Sequence, residues 1–323
     1  MKIIFMSNNL SYNYKNCPRG SVALVHFFKK NNKVLTLNKK NLKYFYFKFL
    51  QFLPDIIVTS EVPAGFIPVL LKKIKLIKCP IVHLWDDYYE EQMVNYPKLL
   101  IRFLEYFTIK NSDYIITVSK YNQNLSQNLG KTTFYVPHGV DLDKNKSNVN
   151  LRKLRTSPKN KIAVYLGEQS TYKKVNEILD ATLKLNCDLF LIGEINKDFF
   201  KKYNKIKNIH FIGKVPASEI LFILKQSDIL INTSNQDSNF KFFEYIRAQK
   251  PILAYNDKPS YLLTHKHNAY LTSNFKKGLQ ELLSNDKLRE SLIKNIKKIK
   301  TYTWKEIAKK HLEIYKKIIS YDS

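Results

Sequence analysis

Short apolar runs bounded by charges or turn residues recur through the first half of the chain, at residues 2–6 (KIIFM), 55–59 (DIIVT), 80–84 (PIVHL), 113–118 (DYIITV) and 133–136 (TFYV). A second series follows at 161–166 (KIAVYL), 187–192 (CDLFLI), 208–212 (NIHFI), 227–232 (SDILIN) and 251–255 (PILAY). Runs this short, apolar throughout and rich in β-branched and aromatic side chains, predict strands buried on both faces. Helix-like stretches lie between several of them. The alternation predicts the α/β class, with two doubly wound, Rossmann-like domains of parallel sheet covered by helices.

The segment 142–161 (LDKNKSNVNLRKLRTSPKNK) has few apolar residues, many charges and a proline. It reads as an exposed connection, so the domains are expected at 1–145 and 161–302, with a linker at 146–160. The last stretch, 303–323, opens on Thr303 and Glu306 in the T-x-x-E form of a capping box. Trp304, Ile307, Ala308, Leu312, Tyr315 and Ile319 follow at helical spacing. A C-terminal helix packed on a domain surface is expected.

Composition narrows the partners. The chain has 323 residues, with 54 Lys and Arg against 27 Asp and Glu, a net charge of +27. Such a surplus suits a polyanion or an anionic membrane face. No nucleic acid partner is expected, since no RRM, KH, zinc-finger or helix-turn-helix signature appears. The spread of Lys and Asn along the whole chain also marks a compositional bias. Cys17, Cys79 and Cys187 form no CxxC pair, which excludes a disulfide framework or zinc ribbon and makes a reducing, cytoplasmic setting the default.

The N-terminus reads as a first strand rather than a signal peptide. The most apolar long stretch, 49–71, is broken by Asp55, Glu61 and three prolines, so no membrane-spanning helix is expected. Residues 39–53 (KKNLKYFYFKFLQFL) mix lysines with aromatic and leucine side chains. As an amphipathic helix this stretch either lies on an anionic bilayer or buries its apolar face on the sheet, and both hold together if one edge stays exposed.

The candidate chemistry concentrates in 236–251 (QDSNFKFFEYIRAQKP), just after the run SDILINTS. Ser238 can cap a helix through Phe242, Phe243 and Ile246, and its N-terminus would suit a diphosphate. Glu244 either accepts hydrogen bonds from vicinal hydroxyls such as those of a ribose or is a solvated carboxylate. In the first half, HLWDDYYEE (83–91) sets His83, Asp86, Asp87, Glu90 and Glu91 at a strand's carboxyl end. Either aspartate could orient an acceptor hydroxyl or take its proton, whereas a metal site built from adjacent Asp86 and Asp87 is the weaker reading. His26, His210, His265 and His267 show no metal-ligand spacing and are read as structural.

The stretch 236–251 resembles the donor-site motif of GT-B nucleotide-sugar glycosyltransferases of the family 4, or "glycosyl transferases group 1", type, which reads roughly S-x-x-K-x-x-E-Y-x-A-x-G-K-P. Lys241, Glu244, Tyr245, Ala248, Lys250 and Pro251 match in order, with Gln236 where a first Glu is usual and Gln249 where Gly is usual. VYLGEQSTYKKVNEILDAT (164–182) resembles the family's first C-terminal strand and helix; Gly167 and Lys173 match, while Glu168 replaces Arg and Lys174 replaces Gly. FLIGE (190–194), with Gly193, NIHFIGKV (208–215) and VPHGVDLD (136–143), with His138 for Asn, follow in the family's order.

The resemblance implies two domains facing a central cleft and a donor site made of Gly167, Lys173, Lys174, Gly193, Ser238, Lys241 and Glu244. Lys173 would stabilise the leaving diphosphate, with Lys174 able to substitute, and Gln236 would hydrogen-bond the donor sugar. Arg19 and Gly20 stand in the loop that touches donor and acceptor, and Asp86 with Asp87 would serve the acceptor. The implied activity is retaining transfer from a nucleoside-diphosphate sugar to a hydroxyl of a glycan, lipid-linked or other acceptor, in cell-surface glycan or glycolipid synthesis at the inner membrane face. No metal or other cofactor is expected. The alternative, suggested by Gln236, Glu168 and the single glycine of the first loop, is a GT-B-like protein of weak or no turnover that binds a nucleotide or glycan or supports a partner.

Overall fold

The computed structural model describes residues 1–7, 10, 19–38, 40–86, 97–140, 146–234, 239–256 and 261–322. They form two compact units, one of Met1–Gly139 with Tyr302–Ser323 and one of Val140–Thr301.

The first unit holds strands β1 (Lys2–Met6), β2 (Lys33–Leu37), β3 (Ile56–Ser60), β4 (Ile81–Trp85), β5 (Tyr114–Thr117) and β6 (Thr132–Tyr135), in the order β2-β1-β3-β4-β5-β6. The second holds β7 (Lys161–Leu166), β8 (Cys187–Ile192), β9 (Ile209–Gly213), β10 (Ile229–Asn232), β11 (Ile252–Tyr255) and β12 (Tyr270–Thr272), in the order β12-β11-β10-β7-β8-β9. Every neighbouring pair is parallel. All residues of β3, β4 and β8 are buried, because parallel strands are joined by helices that cover both faces. That is why these runs are apolar throughout rather than alternating.

Strands β2 and β12 are absent from the apolar series. Both lie at sheet edges, where one flank needs no partner and less side chain is buried, so their sequences carry a weaker signal.

The segment expected as a linker is instead built into the second unit. Leu151 is fully buried in its core, and Asn150 caps the short helix Leu151–Leu154 through the Lys153 N–H. Ser147 donates to Glu219 at 2.6 Å, and Asp188 accepts from both the N–H and the hydroxyl of Thr156. Its polar side chains are satisfied by these partners, which is how a charged, apolar-poor stretch comes to be ordered.

The capping box at the last helix, Trp304–Asp322, forms as its sequence implies. The Glu306 carboxylate accepts from the Thr303 N–H at 2.7 Å, and the Thr303 hydroxyl accepts from the Glu306 N–H at 3.3 Å. The helix packs in the first unit against helix Gly20–Phe28, where the Tyr315 ring lies 5.7 Å from Phe28 in an edge contact. Gly139 has no room for a side chain, since a β-carbon there would lie 2.7 Å from Trp304.

Candidate functional site

In the second sheet, β7 and β10 are neighbours whose connections leave in opposite directions, towards β8 and towards β11. Ligands of doubly wound sheets bind at the carboxyl ends of such a strand pair. Here the Tyr245 hydroxyl bridges the two strands, accepting from the Leu166 N–H at 2.9 Å and donating to the Ile231 carbonyl at 3.0 Å. Tyr245 is fully buried, and burial raises its pKa well above the usual phenol value.

A row of glycines closes the strand ends. Gly167, Gly193 and Gly213 have φ of +139°, +143° and +81°. The Gly167 N–H bonds the Ile192 carbonyl at 2.9 Å, and the Gly193 N–H bonds the Gly213 carbonyl at 3.0 Å. A β-carbon on Gly193 would collide with the Gly167 carbonyl oxygen, so the two turns touch backbone to backbone. Gln169, also buried, accepts from the Asn196 N–H at 3.2 Å and ties the loop after β7 to the loop after β8.

Onto this floor helix Phe240–Ala248 projects two charged groups. Its N-cap residue is Asn239, which makes no side-chain capping bond, rather than the expected Ser238. The Lys241 ammonium lies 4.8 Å from the centre of the Tyr165 ring and 3.4 Å from where a β-carbon on Gly167 would stand. Desolvation lowers its pKa to about 7, nearby Lys173 pushes in the same direction, and Glu244 and Glu168 oppose both. Glu244 is itself buried on the next turn of the helix. Lys241 thus stands beside Gly167, within electrostatic reach of Lys173, Glu244 and Glu168. The Lys174 ammonium lies 3.1 Å from the centre of the Tyr255 ring, at the end of β11. Gln236, Ser238 and Asp87 lie outside the described residues.

Sequence reasoning passed over Asn232. It is fully buried as the last residue of β10, and neither atom of its side-chain amide has a hydrogen-bond partner among the described residues. Its signal was a polar residue ending the apolar run SDILIN.

In the first unit, Gly20 and Asp86 share the wall of a small cavity with Val118, Pro137, His138 and His311, with room for about one water-sized molecule. Arg19 precedes the helix that Gly20 opens, and Gly20 takes φ of +53°. His311 hydrogen-bonds the Tyr315 hydroxyl at 3.2 Å, and its pKa falls to about 3, chiefly through burial and secondly through His138. His83, expected at the strand's end, is instead buried within β4. Its Nδ1 lies 2.9 Å from the Thr59 hydroxyl, and burial lowers its pKa to about 3. His138 and His311 are the residues that sequence reasoning did not assign here. His311 could have been found seven residues after Trp304 and four before Tyr315, on the buried stripe of the last helix.

Two parallel six-stranded α/β units, with a cation-bearing switch point in the second, define the GT-B architecture of glycosyltransferases. Residues 147–299 match the family model described as "Glycosyl transferases group 1". The second unit therefore carries a domain similar to that group, over 153 of the chain's 323 residues.

Solved structures agree on the fold. HepE of Anabaena, in complex with UDP and glucose, superposes with a TM-score of 0.73 at 15% identity, over 98% of this chain and 100% of that one. Sucrose-phosphate synthase from Thermosynechococcus elongatus gives 0.76 at 12% identity, over 99% of each chain. The UDP-GlcNAc 2-epimerase of Neisseria meningitidis, bound to UDP-GlcNAc, gives 0.60 at 14% identity, over 98% of this chain and 100% of that one. An epimerase shares the architecture, so the fold alone does not select glycosyl transfer; the resemblance to a transferase group rests on residues 147–299. A search of curated protein sequences returns no significant match. Among the described residues, no helix is long and apolar enough to cross a membrane.

Proposed function

We propose that this enzyme moves a sugar from a nucleoside-diphosphate sugar to a hydroxyl of an acceptor with retention of the anomeric configuration, in the synthesis of cell-surface glycans or glycolipids at the inner face of the membrane. The observation that supports this reading best is the buried Lys241 ammonium beside Gly167, within electrostatic reach of Lys173 and Glu244, in the unit whose β7 and β10 form the switch point.

As the bond from the anomeric carbon to the diphosphate oxygen breaks, negative charge grows on the leaving group. Ammonium groups held in place stabilise that charge more in the transition state than in the ground state. Lys173 and Lys241 take this role, and the N-terminal end of helix Phe240–Ala248 adds the positive end of its dipole. Glu244 accepts hydrogen bonds from the ribose hydroxyls. The acceptor hydroxyl oxygen bonds to the anomeric carbon on the face the diphosphate leaves, and its proton passes to a diphosphate oxygen. Gln236 hydrogen-bonds the donor sugar, and Asp86, with Asp87, orients the acceptor. In this scheme lysines supply the charge that a metal ion would otherwise supply, so transfer proceeds without one.

The test is a thermal-shift series with UDP, GDP, ADP, CMP and TDP, with and without magnesium. A uridine nucleotide comes first because HepE was crystallised with UDP. Stabilisation by one diphosphate without metal supports the donor site and names the base. Glu244→Ala should weaken that binding, and Lys173→Ala should lower turnover more than affinity. No stabilisation by any nucleotide at millimolar concentration would refute the donor site and leave the reading of a protein without turnover.

A further inference from the structure

The helices Phe45–Phe52, Val62–Lys73 and Lys98–Asn111 lie on one face of the first sheet. Phe45, Phe49, Ala64, Val69 and Phe107 share a core with Ile4, Ile57 and Ile81 of that face. The second and third helices press together, with Phe66 and Phe107 rings 5.2 Å apart and Gly65 against the Thr108 methyl group. With their inner sides packed in this way, their outer sides remain apolar. Phe47, Leu50, Ile74, Leu99, Phe103 and Tyr106 are between 45% and 79% exposed. Large apolar side chains left this exposed on neighbouring helices of one sheet face mark a surface that something covers.

Charge identifies what covers it. Segments 40–53, 62–78 and 97–111 carry three, four and three Lys or Arg respectively, while their acids are limited to Glu105. Glu105 is buried and accepts from the Trp85 indole N–H at 2.9 Å. Lys72 pairs with Asp113 at 2.5 Å, but the chain as a whole has two basic residues for each acidic one, so even without Lys72 this surface is basic beyond the compositional bias. Several of the lysines lie along aromatic rings, Lys43 on Tyr44 at 5.0 Å and Lys110 on Tyr106 at 5.3 Å, which is how a cation reaches outward from an apolar bed. A second copy of the chain on a two-fold axis would set these cations against themselves. A nucleic acid offers phosphates for the lysines but nothing for exposed leucines and isoleucines. An anionic bilayer satisfies both sets.

We infer that this three-helix face docks on an anionic lipid surface, the apolar side chains entering the headgroup layer and the lysines pairing with lipid phosphates. The inference gives the membrane-side part of the proposed function a definite surface, of which residues 39–53 form only one third. It stands on its own observations and needs no glycosyl transfer.

The test uses the full chain in vesicle sedimentation, comparing phosphatidylcholine with phosphatidylcholine containing phosphatidylglycerol, at low and high salt. Sedimentation with the anionic vesicles at low salt, reduced by high salt, is expected. The double variants Phe47→Glu/Leu50→Glu and Leu99→Glu/Phe103→Glu should each lower partitioning about tenfold or more. Both replace exposed side chains, so melting temperature and the UDP-induced shift should not change. Failure of the wild-type chain to sediment with anionic vesicles overturns the inference. So does equal binding by both variants, or self-association of the wild type that the variants abolish. Vesicle binding without any nucleotide-induced shift would refute the donor site and leave this surface standing.

Discussion

Lys241 offers a quantitative handle on the donor site. Its ammonium sits over the Tyr165 ring in a position that costs it hydration, and with Lys173 close by its pKa is lowered to about 7. At pH 8 such a group is about one-tenth protonated. A bound diphosphate brings opposite charge to the same place and favours the ammonium, so binding at that pH takes up about 0.9 of a proton. Affinity for the nucleoside diphosphate should then fall about tenfold per pH unit between about pH 7.5 and 9. Isothermal titration calorimetry in two buffers of different ionisation heat measures the uptake directly. Lys241→Arg, which stays charged, should bind with no uptake and a flat pH profile. Lys241→Met should lose about 1.5–3 kcal/mol of binding at pH 6.5, the worth of a charge-assisted hydrogen bond. Lys173→Met removes the like charge and should move the fall in affinity to higher pH. A wild-type profile that is flat from pH 7 to 9, with no proton uptake, would refute the assignment of Lys241 to the phosphates.

Three stability predictions follow from backbone geometry and burial. Gln249 stands after helix Phe240–Ala248 with φ of +56°, where glycine pays no steric cost, so Gln249→Gly should stabilise the protein by about 0.5–1 kcal/mol in denaturant melts; a loss of stability would show that the side chain matters more than the backbone. Gly193→Ala should cost at least about 2 kcal/mol, since its new β-carbon meets the Gly167 carbonyl at a φ of +143°, and an unchanged melting temperature would contradict the close packing of the two turns. His83 and His311 have folded pKa values lowered from 6.5 to about 3, so the unfolded chain binds more protons between those pH values and stability is lost as pH falls below 6.5. Each should contribute about 2 kcal/mol of loss at pH 5, read as the change in urea midpoint, and His311→Gln should shrink that loss.

Much of the fold was legible because parallel strands buried on both faces need apolar side chains at every position. The runs around Ile57, Val82, Leu189 and Ile231 therefore stand out, while the edge strands Lys33–Leu37 and Tyr270–Thr272 do not. The proposed donor cluster was legible in part. Lys173, Lys241 and Glu244 were found by their spacing and by resemblance, but the lowered pKa of Lys241 depends on Tyr165 and Lys173, which come from a different strand and loop. Residues 146–160 misled because polar side chains look the same in sequence whether they meet water or a partner such as Asp188.

Local pattern alone carries the two parallel α/β series, the capping box of Thr303 and Glu306, and the order of glycine, lysine and glutamate along the second series. These are properties of residues a few positions apart, where period, cap and turn chemistry act locally. Tertiary structure decided which sheet received the last helix, that His138 and His311 share a wall with Asp86, and that Gly167 and Gly193 touch. It also decided that three separate helices present one basic, apolar face, because burial and charge at a surface are set by residues far apart in the chain.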